Sequence, residues 1–239
     1  MILGNSCTRH CRFCGVDKEH PESLDSTEPE RIAKAAVQLG LHHVVITSVT
    51  RDDLKDGGAS YFSATVKAVR EHLPESSIEV LIPDFQGNED ALDDVLSSGI
   101  DVLNHNVETV PRLYPTIRPE ADFERSLSVL KYAKTFYPNI HTKTGLMLGL
   151  GESDQEVLSV FDRLAEIQCQ ILTMGQYLAP SRAAYPVQVY VHPTKFDWYE
   201  EAAKERGIWW VKAGPFVRSS YHAEELFKSC KGDLHESSV

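Results

Sequence analysis

Along the chain, short runs of β-branched residues alternate with longer stretches whose apolar positions recur every three or four residues. The run HHVVITS (42–48) leads into GGASYFSATVKAVREHL (57–73), where Phe62, Val66 and Val69 fall on one helical face. SIEVLIP (77–83) precedes EDALDDVLSSG (89–99), and IDVLNHN (100–106) precedes DFERSLSVLKYAKTF (122–136). IHTKTGLML (140–148) leads into SDQEVLSVFDRLAEI (153–167), where Ser153 and Glu156 have capping-box spacing. CQILTMGQY (169–177) precedes PTKFDWYEEAAKERG (193–207). With MIL at the start and EPERIAKAAVQLG (28–40), the pattern predicts six β-then-α units. Such alternation implies parallel strands joined by right-handed crossovers. Six units suit a partial (βα)6 TIM-like barrel better than a closed eight-stranded one. No repeat, linker or low-complexity tract divides the chain, so one domain is expected over residues 1–239, with a C-terminal extension over about 208–239.

In parallel α/β folds, chemistry gathers on the loops at the C-terminal ends of the strands. The unusual residues of this chain are placed there. CTRHCRFC follows the first run, TSVTRDDLKDGG the second, NHNVET the fourth, GLMLGLGE the fifth and GQYLAPSR the sixth. These loops are expected to share one mouth.

Composition narrows the class. A hydrophobic content of 42% in 239 residues supports a real core. No apolar run approaches the roughly 20 residues needed to cross a bilayer, and no basic region followed by an apolar stretch opens the chain, so neither membrane association nor a signal peptide is expected. A net charge of −11 argues against general binding to nucleic acid. Five cysteines, an odd number without a regular framework, point to a reducing, cytoplasmic setting.

Cys7, Cys11 and Cys14 lie within eight residues, too many and too close for comfortable disulfide pairing. Collected thiolates suggest a metal or iron–sulfur centre. A structural zinc site wants four protein ligands, and His10 could serve as the fourth only with strain. A ferredoxin-type cubane would want another nearby cysteine. A triplet leaves one metal position without a protein ligand, which suits a catalytic site. His42, His43, His72, His141 and His235 have no ligand-like grouping, DALDD and WYEEAAKE read as solvated helix faces, Cys169 as a buried thiol and Cys230 as a surface one.

The spacing C-x-x-x-C-x-x-C, with Phe13 before the last cysteine, resembles the signature of the radical S-adenosylmethionine superfamily. TSVTRDDLKDGGA, EVLIPDFQG, NHNVETVPRLY, GLMLGLGE, GQYLAPSR and GPFVRSSYHA are similar, in that order, to segments of the lipoyl synthase family, from about Met1 to about Ala223. The resemblance implies a [4Fe–4S] cluster on Cys7, Cys11 and Cys14, its fourth iron chelated by the amino and carboxylate groups of S-adenosylmethionine. It implies a sulfurtransferase that inserts sulfur at C6 and C8 of an octanoyl chain carried on a lysine, in protein lipoylation. The implied partners are octanoylated lipoyl-carrier domains (2-oxoacid dehydrogenase E2 subunits, the glycine cleavage H protein) and a low-potential electron donor such as ferredoxin or flavodoxin. On the same resemblance Thr47 and Ser48 receive the methionyl amino group, while Asn104 and Glu108 face the ribose and the cationic end of the cofactor. Phe13, Gly145, Gly149 and Gly151 approach the adenine, and Lys143, Met147 and Gln176 complete the cofactor-binding set. Arg182 and Arg218 fall on the substrate side, and Ser219 of the RSSY motif matches a ligand of the family's second, sulfur-donating cluster.

Two departures accompany the resemblance. The second cluster's other ligands belong to an N-terminal C-x4-C-x5-C segment upstream of the position matching Met1, so a shortened chain with only the radical cluster complete is expected. Ala184 stands where the family usually has histidine, close to Arg182. Two other functions compete: a radical enzyme that cleaves S-adenosylmethionine without inserting sulfur, and a non-catalytic iron–sulfur or zinc protein.

Overall fold

The computed structural model describes residues 1–18 and 20–220. Strands β1 (His43–Thr47), β2 (Ser77–Leu81), β3 (Val102–Asn104), β4 (His141–Leu148), β5 (Ile171–Gln176) and β6 (Trp210–Gly214) form one parallel sheet in chain order. Helix α1 (Glu28–Gln38) precedes β1. The connections carry α2 (Ala59–His72), α3 (Glu89–Leu96), the short α4 (Tyr114–Ile117), α5 (Phe123–Phe136), α6 (Asp154–Glu166) and α7 (Pro193–Glu205). Among the described residues β1 pairs only with β2 and β6 only with β5, so the barrel is partial, as the alternation predicts. The capping box forms: the Ser153 hydroxyl accepts from Glu156 N at 3.4 Å and the Glu156 carboxylate from Ser153 N at 2.8 Å. No helix among the described residues is long and apolar enough to cross a membrane.

The strand inventory departs from the sequence reading at both ends. MIL makes one parallel bridge, Ile2 to Ser48, rather than a strand. Leu3 and Gly4 take φ of 68° and 90°, which turns the chain out of an extended ladder. The sixth sheet strand is Trp210–Gly214, inside the stretch read as a C-terminal extension. Residues 221–239, including Tyr221 of the RSSY motif, Cys230 and His235, lie outside the described residues.

The two faces of the sheet differ in character. Val44, Ile46, Ile78, Val80 and Leu103 pack in one apolar cluster with Phe62, Val66, Leu92 and Val95 from the helices. Leu146, Leu148, Leu172 and Met174 do the same with Val157, Phe161, Leu164 and Phe196. The opposite face lines the barrel interior and sets buried polar side chains beside the apolar Val102 and Ile171. There Lys143 Nζ lies 2.9 Å from both carboxylate oxygens of Glu79, and Asn104 Nδ2 donates to Glu79 Oε1 at 2.8 Å. Burial works against the Glu79 carboxylate, but His43, Lys143 and Asn104 outweigh it and hold the carboxyl below its ordinary range. Glu79 of EVL and Lys143 of TKTG therefore face a buried lumen, not water.

Candidate active site at the open end of the barrel

The thiol loop starts at the Ile2–Ser48 bridge and crosses the C-terminal end of β1. Ile2 N donates to Thr47 O at 2.7 Å, and Thr8 donates to Thr50 O from both its N (3.0 Å) and its Oγ1 (3.1 Å). Cys7, Cys11 and Cys14 are half-buried free thiols. The amides of Arg9 and Val16 donate to Cys7 Sγ and Cys14 Sγ, each at 3.5 Å. Lys18 Nζ donates to Cys11 O at 3.0 Å. Among the described residues, no three His, Cys, Asp or Glu side chains converge on a site for a single ion.

A cavity of about 170 Å³ opens beside this loop, lined by all three cysteines with Phe13, Thr47, Ser48, His105, Asn106, Glu108 and Arg118. Its wall carries buried polar atoms without partners: Ser48 Oγ, His105 Nε2, Asn106 Oδ1 and the donor Arg118 Nε. His105 Nδ1 lies 2.9 Å from the Ile82 carbonyl, which only accepts, so Nδ1 carries the proton and Nε2 is an acceptor. Burial pulls the ring's pKa down to about 4, so the imidazole is neutral at neutral pH. Glu108 is held at φ 63°. Desolvation raises its carboxyl, against the Arg118 cation and a 3.1 Å hydrogen bond from Asn106 Nδ2. Desolvation also pushes the Cys11 thiol up, with Arg118 opposing. Buried acceptors and a desolvated acid beside thiols make a place for a cation that brings donors of its own.

A second cavity, also about 170 Å³, shares Phe13 and Glu108 with the first and lies against Gly145, Met147, Gln176, Arg218 and Ser219. Asn106 Nδ2 joins the two, donating to Ser219 Oγ at 2.8 Å as well as to Glu108. A Cβ on Gly145 would stand 2.7 Å from Asn106 Oδ1 and 3.0 Å from Ser219 Oγ, so only glycine lets both side chains lie over β4. Gln176 ties down the loop after β5: its Nε2 donates to Val189 O at 3.1 Å and its Oε1 accepts from Val191 N at 2.9 Å. Gly149, at φ 99°, serves the same closure, since a Cβ there would collide with Val189 O and Gln176 Nε2.

Not every residue singled out in the sequence reaches these cavities. Asn104 and Lys143 line neither, because both side chains are committed to Glu79 inside the barrel. Gly149 also lies outside both, and Arg182 is exposed on the loop after β5. Arg218 reaches the second cavity with its Nη1 donating to Val217 O at 2.7 Å. Conversely His105, Asn106 and Arg118 belong to the site, although the sequence reading gave them no role. Arg118 is 8% exposed, and its Nη1 donates to the carbonyls of Asn106 (3.1 Å) and Val107 (3.3 Å). The signal for it was an arginine caught between the apolar Ile117 and a proline in TIRP.

Comparison with known proteins agrees with this geometry. The Radical SAM superfamily matches residues 1–164. SuiB from Streptococcus suis, solved bound to S-adenosylmethionine, superposes with a TM-score of 0.67 at 12% identity, covering 85% of this chain and 46% of that one, a likeness of fold. The lipoyl synthase of Caldanaerobacter subterraneus is 54% identical over 97% of this chain and 81% of its own length. That of Caldicellulosiruptor saccharolyticus is 53% identical over 95% of this chain and 80% of its own. At such identity over most of both sequences, the chain belongs to the lipoyl synthase family.

Proposed function

We propose that the first cavity holds a [4Fe–4S] cluster on Cys7, Cys11 and Cys14 together with S-adenosylmethionine, and that the second receives an octanoyl chain. The chain is a radical S-adenosylmethionine sulfurtransferase of lipoate biosynthesis, with that cluster and S-adenosylmethionine as its cofactors. The observation that carries the assignment of residues is the meeting of three thiols with orphaned acceptors on one wall. The cofactor's ammonium and ribose hydroxyls supply the donors that Ser48 Oγ, His105 Nε2 and Asn106 Oδ1 lack, and Glu108 answers its positive charge. When bound, the cluster supplies the single electron that cleaves the sulfonium. The chain's own residues do the rest. Thr47 and Ser48 fix the methionyl end at the tip of β1, and Phe13 stands between the cavities. Leu146, Met147, Tyr177 and Val217 give the second cavity an apolar wall that keeps water from the reacting carbons. On this reading Ser219, which lines the same cavity, supplies one ligand of a second, sulfur-donating cluster. Octanoylated carriers of the E2 and H-protein kinds present the substrate, and a ferredoxin- or flavodoxin-like protein delivers the electron.

The test uses the anaerobically reconstituted chain, S-adenosylmethionine, dithionite and an octanoylated lysine peptide deuterated at C6. Deuterium is expected in the 5′-deoxyadenosine formed. Turnover that yields only unlabelled 5′-deoxyadenosine would remove the octanoyl chain from the second cavity and favour cleavage without sulfur insertion.

A further inference from the structure

Arg9 sits between Cys7 and Cys11, yet its side chain is 5% exposed. Its Nε donates to Asp52 Oδ2 at 2.6 Å, and its Nη2 to Asp52 Oδ1 at 3.0 Å and Asp84 Oδ1 at 2.6 Å. Asp84 follows β2 and has no exposed surface. Its other oxygen takes Arg125 Nε at 2.8 Å, from the first turn of α5. Arg125 Nη2 donates to Glu120 O at 3.1 Å. The Glu120 carboxylate returns to the thiol loop, accepting from His10 Nδ1 at 2.9 Å and from His10 N at 3.3 Å. His10 is the neighbour of Arg9, so the circuit closes on itself, and the loops after β1 and β2 and the start of α5 are all tied to the cysteine segment.

The backbone beside Asp84 shows how firmly it is held. Phe85 and Gln86, neither of them glycine, take φ of 43° and 53°, followed by Gly87 at 79°. Conformations of this kind persist where the surroundings over-determine them. Here Gln86 N donates back to Asp84 Oδ1 at 3.0 Å, and Gly87 N to Asp84 O at 2.8 Å. We propose that this ring, with Asp84 as its central positioning residue, sets the shape of the thiol loop before any metal arrives. The three sulfurs then meet iron as an assembled set and not as a floppy segment. The inference rests on the reading of residues 7–14 as the cluster-binding loop, but its test is made on the metal-free chain.

Amide hydrogen exchange measured peptide by peptide separates a pin from a general stabiliser. In metal-free Asp84→Asn, the segment 7–18 is expected to exchange about tenfold faster, because a buried ion-pair network missing one partner opens locally. Peptides over β4 and β5 should stay protected. A purely structural pair would instead speed both regions together. If β4 and β5 also open in Asp84→Asn, Glu120→Gln decides, since that side chain is 37% exposed and its loss spares the core. Loop-local acceleration in Glu120→Gln supports the ring. Loop exchange within about twofold of the parent in Glu120→Gln, or in a still-folded Asp84→Asn, overturns it. An iron count on the reconstituted parent chain is read separately: little iron with ring-dependent loop protection would sink the cluster assignment and leave the ring standing.

Discussion

Cys11→Ala is expected to abolish both iron retention and S-adenosylmethionine cleavage in the anaerobically reconstituted chain. The three loop thiols have no understudy among the described residues. Cys169 is buried, its thiol pushed up to about 12 by desolvation, and its sulfur lies 3.8 Å from the carbonyls of Thr142 and Ile171, below the sheet's active end. A thiol so disposed does not give the thiolate that iron needs. Two remaining cysteines leave a cubane with two open irons, which dissolves. The parent chain should carry about four irons on this loop, and the variant close to none. Product yield should fall at least about a hundredfold, which corresponds to roughly 2.7 kcal/mol at the barrier as a floor. Iron and sulfide analysis with chromatographic measurement of 5′-deoxyadenosine checks both quantities. Cys169→Ala should leave both unchanged. A normal yield from Cys11→Ala would remove the loop from the chemistry.

Lys143→Met carries the largest expected effect on stability. Lys143 is 1% exposed and its ammonium is shared by both oxygens of Glu79, itself 1% exposed. Removing the cation leaves a buried carboxylate with only Asn104 and, 3.7 Å away, His43 Nε2. Breaking such a pair from one side costs about 3–5 kcal/mol, which is roughly a 10 °C fall in Tm for a domain of this size. Because the Glu79 carboxyl is held below its ordinary range, its contribution is present above the unfolded-state pKa and fades as the pH falls through the folded one. The parent should therefore lose more stability than Lys143→Met on acidification. Replacing both partners, Glu79→Leu with Lys143→Met, should recover much of the loss. Thermal unfolding across pH measures all of this. Affinity for S-adenosylmethionine should be unchanged in the folded fraction. An affinity loss at unchanged stability would return Lys143 to the cofactor site.

The alternation of the chain made the barrel legible, because amphipathic helices of this length advertise their apolar faces locally. The helix bounds agree to within a few residues, as at 28–40 against Glu28–Gln38. The clustering of unusual residues at strand ends made one mouth legible too, and Cys7, Cys11, Cys14, Phe13, Thr47, Ser48 and Glu108 do share a cavity. What stayed hidden depends on register. In IDVLNHN the strand ends at Asn104, which pairs with Leu81 and Lys143 and turns into the lumen, while His105 and Asn106 emerge above it into the site. A polar residue near a strand end does not declare which side of that boundary it occupies. Lys143 could not reveal its partner, 64 residues away, nor Arg9 the carboxylates 43 and 75 residues away. The strand Trp210–Gly214 escaped because no helix follows it among the described residues, so the repeating signature was missing.

The most direct test of the central claim is a hyperfine measurement on the reduced chain. The claim is that the loop thiols and the acceptors of the adjoining wall bring the methionyl end of S-adenosylmethionine onto the one iron without a protein ligand. The reconstituted chain, reduced anaerobically, is mixed with S-adenosylmethionine labelled with ¹⁵N at its amino group and ¹⁷O at its carboxylate. Coupling of both nuclei to the cluster spin is expected, and it should vanish in Cys11→Ala. A chain that binds labelled S-adenosylmethionine and a cubane yet shows no coupling between them would contradict the claim.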